Sequence, residues 1–248
     1  MLFCLDFNRP DRVQGLENAL LAAPVKVLID HHRDPADFAR ITFSDTTACA
    51  TCQMVFDIVE AMGHADLIDA DAASCLYTGV MTDSGSFRFG STTPHTLRVA
   101  AKLMERGAVP DLIHSAIFDD NTEDRLKLLG FALSARMTVY ADMRTAVIAL
   151  SRADLDRFHF KQGDTEGVVN YGLSIRGIRL AAFFIERPDV VKLSMRSKGA
   201  LPVNEFLGAH FSGGGHANAA GGHTKEPLQQ AVDRFMRELP AFLAKHPG

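Results

Sequence analysis

The chain has 248 residues, 47% of them apolar and 23% charged, with 19 Gly and 10 Pro. That balance excludes collagen-like, low-complexity and wholly disordered chains, and it leaves room for one large domain or two of about 100–150 residues. The net charge of −4 is unevenly placed: residues 1–124 carry 9 Lys/Arg against 19 Asp/Glu, a balance of −10, and residues 125–248 carry 17 against 11, a balance of +6. An acidic half suits cations and a basic half suits a phosphorylated ligand, although two solvated surfaces of opposite sign give the same numbers. No apolar run approaches the roughly 18–20 residues of a membrane helix, and residues 1–10 contain Asp6 and Arg9, so they lack the apolar core of a signal peptide.

In chain order, residues 2–6 and 25–30 are short apolar runs that end on an Asp and read as buried parallel strands. Between them, Val13, Leu16 and Leu20 give residues 12–23 helical spacing. Helices are expected from about Thr46 to Met62, closed by Gly63, from about Asp69 to Met81, and from Thr93-Pro94, a good cap and first-turn pair, to Gly107. The acidic stretch 119–124 marks a domain boundary and caps a helix with Leu126, Leu129 and Leu133 on its apolar face. Beyond it the pattern changes to antiparallel ribbons: residues 137–141 with 145–150, and 180–186 with 189–195, followed by helices at 203–210 and 227–244. No repeat of 20–50 residues is visible. The four cysteines, Cys4, Cys49, Cys52 and Cys75, are too few for a secreted disulfide framework, which favours a cytoplasmic chain with reduced thiols. Cys49 and Cys52 sit in an amphipathic helical pattern without a second ligand pair and read as buried small hydrophobes.

Four constellations carry chemistry. Asp30-His31-His32 ends a strand, where an open parallel sheet binds its ligands; imidazole and carboxylate together suit a divalent metal. Asp6 ends the preceding strand at the same edge. Asp83 stands among small residues in Thr82-Asp83-Ser84-Gly85-Ser86-Phe87, with Gly85 for the turn. Gly213-Gly214-Gly215-His216 reads as a loop whose backbone N–H groups could cradle phosphate, and upstream Arg196, Ser197 and Lys198 add two cations and a hydroxyl.

In order and spacing these four motifs resemble the DHH phosphoesterase superfamily with a DHHA1 domain, and within it the branch of bifunctional oligoribonucleases (nanoRNases) and 3′-phosphoadenosine 5′-phosphate phosphatases. The resemblance covers essentially the whole chain. It implies an α/β fold: a parallel-sheet DHH catalytic domain at 1–118, a helical linker at 119–136, and a smaller α/β DHHA1 domain at 137–248 with a mixed or antiparallel sheet, the cleft lying between the domains. It implies two divalent metals, usually manganese, with Asp6 as the bridging carboxylate and His31 and Asp83 as ligands of one metal. Asp30 would orient the loop from behind, and His32 would face the scissile phosphate. Arg196, Ser197, Gly214, Gly215 and His216 would hold the terminal phosphate and nucleotide. The implied activity is two-metal hydrolysis of short oligoribonucleotides, pApA included, to mononucleotides, and of 3′-phosphoadenosine 5′-phosphate to AMP. The implied partners are short RNA or a nucleotide, no membrane, and in many relatives a second copy in a homodimer.

The family pattern also includes an earlier motif, His-x-x-Pro-Asp-x-Asp, several dozen residues before the position of Asp6. Asp6 here is almost the first residue, so the DHH domain is expected to be N-terminally incomplete and one metal site to lack ligands. A catalytically impaired, nucleotide-binding fragment or descendant is the alternative reading. Pyrophosphatase and cyclic-dinucleotide phosphodiesterase activities within the same fold fit less well: the former branch has a different second domain, the latter usually extra N-terminal domains.

Overall fold

The chain folds as two units, Met1–Asp120 and Asn121–Gly248, and the computed structural model describes residues 1–13 and 15–247 of them. In the first unit β1 (Leu2–Leu5), β2 (Lys26–Asp30) and β3 (Ile41–Ser44) pair in parallel, in that order, with Leu5 opposite Ile29 and Ile29 opposite Phe43. Residues 27–30 of the central strand are all buried, because both faces of a parallel sheet are covered. Cys4, Leu20 and Leu28 pack on one face and Val27, Ile29, Ala48 and Met54 on the other. On the outer strands Phe3, Leu5, Ile41 and Phe43 remain exposed. β3 went unread in the sequence because Ile41–Ser44, exposed at all four residues, is not the unbroken apolar run that marks β1 and β2.

The expected helix at 12–23 is shorter in the fold. A 3₁₀ turn occupies Pro10–Arg12, Gly15 has φ of +80°, and α1 spans only Glu17–Ala22; Gln14 lies outside the described residues. α2 spans Thr51–Ala61, starting five residues after Thr46. The cause is Asp45, whose Oδ1 accepts the N–H and the hydroxyl of Thr47 and fixes a turn there. The same bonds hold the Asp45 carboxyl below its ordinary value. α3 (Ala70–Asp83) starts at an Asp69 cap and continues two residues past Met81. α4 (Pro94–Glu105) starts where Thr93-Pro94 indicates, with a reciprocal capping box between Thr93 and Thr96. Phe56, Tyr77, Met81, Val99 and Leu103 form the core shared by α2, α3 and α4. α5 (Pro110–His114) and a π-helical turn, Ser115–Asp119, follow.

In the second unit α6 spans Glu123–Ala135 and is capped by Thr122, whose hydroxyl accepts the Arg125 N–H. Its buried face is Leu128 and Ala132, not the stripe through Leu126, which is 53% exposed. Small Ala132 lets the helix seat on the sheet, and Leu129 and Leu133 flank the contact, partly buried. β4 (Met137–Tyr140) and β5 (Thr145–Leu150) form the expected hairpin. α7 (Arg152–Arg157) and α8 (Val168–Ser174) then cross over to β6 (Leu180–Glu186), which is parallel to β5 and antiparallel to β7 (Val191–Ser197). α9 (Val203–His210), β8 (Gly214–His216), β9 (Ala219–Thr224) and α10 (Leu228–Lys245) complete the unit.

The strand order is β4-β5-β6-β7-β9-β8, a mixed sheet. Alternation along β6 serves two cores. Leu180, Ala182 and Phe184 join Phe206, Phe211 and Phe235 under α9 and α10, while Ala181, Phe183 and Ile185 join Leu128, Leu155 and Val168 under α6, α7 and α8. The glycine run is therefore not a loop but largely an edge strand. A Cβ at Gly213 would lie 2.6 Å from the Gly221 carbonyl, and Gly215 has φ of +135°, so these two glycines let the backbones approach closely. Among the described residues no helix is long and apolar enough to cross a membrane.

Candidate functional site

Two groups of side chains stand out, one in each unit. In the first, parallel pairing brings Asp6, just past β1, and Asp30, the last residue of β2, to the carboxyl edge of the sheet, and α3 ends on Asp83. Ligand atoms of Asp6, His31 and Asp83 all lie within 4.8 Å of one another, as do those of Asp6, Asp30 and His32. His31 Nε2 is 3.6 Å from Asp6 Oδ1 and 3.6 Å from Asp83 Oδ2. His31 Nδ1 meets the Ala48 carbonyl at 3.2 Å. A carbonyl can only accept, so Nδ1 carries a hydrogen, and Nε2 is the ring nitrogen that faces the two carboxylates.

One imidazole nitrogen and two carboxylates thus converge. The set fits a hard or borderline divalent cation with nitrogen and oxygen ligands. The electrostatics agree. Burial first, and Asp6 second, push the Asp83 carboxyl above its ordinary value, while His31 and His32 pull it back. Its place at the C-terminal end of a helix, where the dipole is negative, opposes a carboxylate as well. A cation between these groups would relieve all three strains.

Asp30 is fully buried and commits both oxygens to His32: Oδ1 accepts from Nδ1 at 2.7 Å and Oδ2 from the backbone N–H at 3.1 Å. That fixes the ring and its tautomer, leaving Nε2 as its working atom. The backbone here is strained. Asp6 has φ of +65°, and Gly85, Ser86 and Phe87 are three consecutive left-handed residues after Asp83. Each non-glycine residue of this kind costs about 1–2 kcal/mol. The Ser84 hydroxyl accepts the Phe87 N–H, and the Ser84 carbonyl accepts those of Arg88 and Phe89. A Cβ at Gly85 would strike the Phe89 ring. Such strain, held by surrounding bonds, is common where side chains must be aimed.

Cys52 lies close enough for Asp6 and Asp83 to add to the effect of burial, which pushes its thiol up to about 11. All four cysteines are unbridged, and so high a value makes Cys52 a poor nucleophile.

In the second unit, strand register decides which side chains meet. Arg196 on β7 pairs with Ala219 on β9, which pairs with His216 on β8. Residues opposite one another share a face, so Arg196 and His216 flank Ala219 at about 10 Å, two strand spacings. The next row on that face is Ser194, Gly221 and Gly214. A Cβ would meet nothing within 4 Å at Gly214, and at Gly221 only the Leu193 carbonyl at 3.7 Å. The result is a floor of Gly and Ala between a guanidinium and an imidazole, with β8 as the edge strand of the sheet. Burial lowers the Arg196 pKa, partly offset by Glu166, yet arginine stays charged.

Ser197 lies at the end of the same strand, 7% exposed, but its hydroxyl is occupied: it donates to the Leu201 carbonyl at 2.6 Å and accepts from Asn218 Nδ2 at 2.8 Å. Asn218 also donates to the Gly199 carbonyl, tying the turn of the glycine hairpin to the end of β7. Nothing in the sequence pattern pointed to Asn218 beyond its place in a turn.

Comparisons with known proteins reach both units. The pattern described as "DHH family, N-terminal domain" matches residues 1–80, and the "DHHA1 domain" matches residues 142–245. A relative from Thermus thermophilus, named "Bifunctional oligoribonuclease and PAP phosphatase NrnA", is 31% identical over 98% of this chain and 71% of its own length. A Bacillus subtilis protein of the same name is 28% identical over 88% of this chain and 68% of its own. Among solved structures, an exopolyphosphatase-related protein from Bacteroides fragilis superposes with a TM-score of 0.92 at 36% identity, covering 97% of this chain and 71% of that one. With both patterns in place and identity above 30% sustained across nearly its whole length, this chain belongs to the DHH family of phosphoesterases and carries a DHHA1 domain in its second half.

Proposed function

We propose that the protein is a divalent-metal-dependent phosphoesterase, with manganese as its metal, that hydrolyses short oligoribonucleotides and pApA to mononucleotides and 3′-phosphoadenosine 5′-phosphate to AMP. The observation that carries this reading is the convergence of Asp6, His31 and Asp83, with Nε2 of His31 facing both carboxylates. In this reading residues 1–118 are the catalytic DHH domain, 119–136 the linker and 137–248 the substrate-binding DHHA1 domain. The names of the relatives from Thermus thermophilus and Bacillus subtilis support the substrate class.

Asp6, His31 and Asp83 would hold the cation. When bound, it polarises the phosphoryl oxygens and lowers the pKa of a coordinated water. His32, held through Nδ1 by Asp30, presents Nε2 to the phosphoryl group or to the departing oxygen. Arg196 and His216 engage the nucleotide's other phosphate, over a Gly/Ala floor that leaves room for it.

The test is to incubate the chain with Mn²⁺ and either pApA or 3′-phosphoadenosine 5′-phosphate, and to follow AMP by chromatography. Hydrolysis that requires the metal and falls about a hundredfold or more in His31→Ala is expected. Nucleotide binding without hydrolysis under any divalent metal, also when the chain is extended by the earlier His-x-x-Pro-Asp-x-Asp segment, would overturn the catalytic reading and leave a binding module.

A further inference from the structure

We propose that Thr51 is a positioning residue for the cation site, holding Asp6 with the right oxygen toward the ligand cluster. The proposal rests on the reading above in one respect only, that a divalent cation occupies Asp6, His31 and Asp83.

Asp6 is a mobile choice of ligand. Its side chain is 56% exposed and follows a left-handed backbone position, where sheet hydrogen bonding stops after its own N–H donates to the Ile29 carbonyl at 3.2 Å. An exposed carboxylate of that kind samples several staggered rotamers unless something selects one. Thr51 makes that selection: its hydroxyl donates to Asp6 Oδ1 at 2.9 Å. The oxygen it chooses is the one 3.6 Å from His31 Nε2. A carboxylate oxygen has two lone pairs, so one bond from Thr51 leaves the second for a cation.

The donor itself is fixed. Thr51 is 5% exposed and is the first residue of α2. A threonine at a helix start commonly spends its hydroxyl on its own backbone; this one bonds a residue 45 positions away. Three residues earlier, the Ala48 carbonyl accepts from His31. One short segment, residues 48–51, therefore grips two of the three ligands. It is anchored in turn by Gln53, 6% exposed, whose Oε1 accepts from the Cys49 thiol and from the hydroxyl of fully buried Thr96 on α4.

The experiment is calorimetric titration of the metal-free chain with Mn²⁺, for the unaltered protein, Thr51→Val and Thr51→Ser, with circular dichroism to establish that each is folded. Thr51→Val keeps the shape and removes the hydroxyl, and is expected to weaken Mn²⁺ binding about tenfold; Thr51→Ser restores the donor and is expected to return within about threefold of the unaltered affinity. A merely structural threonine would shift the melting temperature without this split between Val and Ser. Should Thr51→Val fail to fold, Thr51→Ala makes the same test with less crowding. Unchanged affinity in a folded Val or Ala variant overturns the proposal, as does failure of Ser to recover it. An unaltered chain that takes up no Mn²⁺ overturns the cation reading together with it, whereas intact binding in every variant overturns the role of Thr51 alone.

Discussion

Asp83 in the first unit and Asp154 in the second are both acids at helix ends, and their surroundings treat them in opposite ways. Asp83 ends α3, and burial together with Asp6 pushes its carboxyl up. Asp154 sits in the first turn of α7, makes a reciprocal capping box with Ser151 and receives Arg136 Nε and Nη2 at 2.9 and 2.8 Å. The Arg136 hydrogen bonds first, and those from Ser151 after the opposing effect of burial, hold its carboxyl below its ordinary value. One carboxylate is where the fold wants a charge; the other is where the fold, left alone, resists one. A carboxylate that the protein's own electrostatics oppose is one a bound cation would relieve, which fits the role proposed for Asp83.

The largest expected effect comes from Asp83→Asn, which breaks the comparison on the functional side. Its kcat/KM should fall about a hundredfold or more, while the metal-free melting temperature at pH 7 stays level or rises. The sign follows from linkage. With a raised folded pKa, the native state between the unfolded and folded values binds a proton that the unfolded state lacks, so stability falls as pH rises through that window. The gain in Asp83→Asn should therefore shrink as pH drops toward the unfolded carboxylate's value, about 4. A variant that loses stability at pH 7 would show Asp83 to be structural after all.

Next in size is Gly221→Val, which asks whether the second unit's open face receives the nucleotide. The strand tolerates a Cβ there, and valine is a better strand former than glycine. Filling the floor should raise KM for the nucleotide about tenfold or more without loss of stability. An unchanged KM would remove that face from the site.

Asp154→Ala sharpens the structural side. Loss of the capping box should cost about 1 kcal/mol by chemical denaturation at pH 7. Because the folded pKa is depressed, that contribution is present above about pH 4 and disappears as pH falls through the folded value; a cost that persists at low pH would argue against the ionised pair. The smallest effect belongs to the cysteines. With the exposed thiol removed by Cys75→Ser, exchanging reducing for mildly oxidising buffer should leave the melting temperature unchanged, since burial keeps Cys52 protonated and unreactive.

Local signals in the sequence carried far. Thr93-Pro94 located the start of α4 because a capping box is written in four adjacent residues. Asp30-His31-His32 could be placed at a strand end because a buried parallel strand is an unbroken apolar run. Most of what failed to show depended on partners distant in the chain; the local exception is the Asp45 turn. Asp45 cuts the start of α2 through a turn that competes with a pattern otherwise good for helix. The phase of α6 is set by what it packs against, so Leu128 replaced Leu126. The glycine run looked like a loop because only pairing with residues 219–221 makes it a strand. Thr51 lies 45 residues from the carboxylate it holds.

The mixed sheet of the second unit bears on how the chain acquires its shape. β4 and β5 are joined by a four-residue turn and can zip together on their own, but the other neighbour of β5 is β6, which begins 30 residues after β5 ends and runs parallel to it. That pairing must wait for α7 and α8 to be made and to close a long crossover, the slower kind of contact to form. During synthesis the nascent unit therefore passes through a stage in which β5, with Ile148 and Leu150 destined for the core, has one open side. Segments of that kind attract other unfinished strands. Refolding yield should accordingly fall with protein concentration.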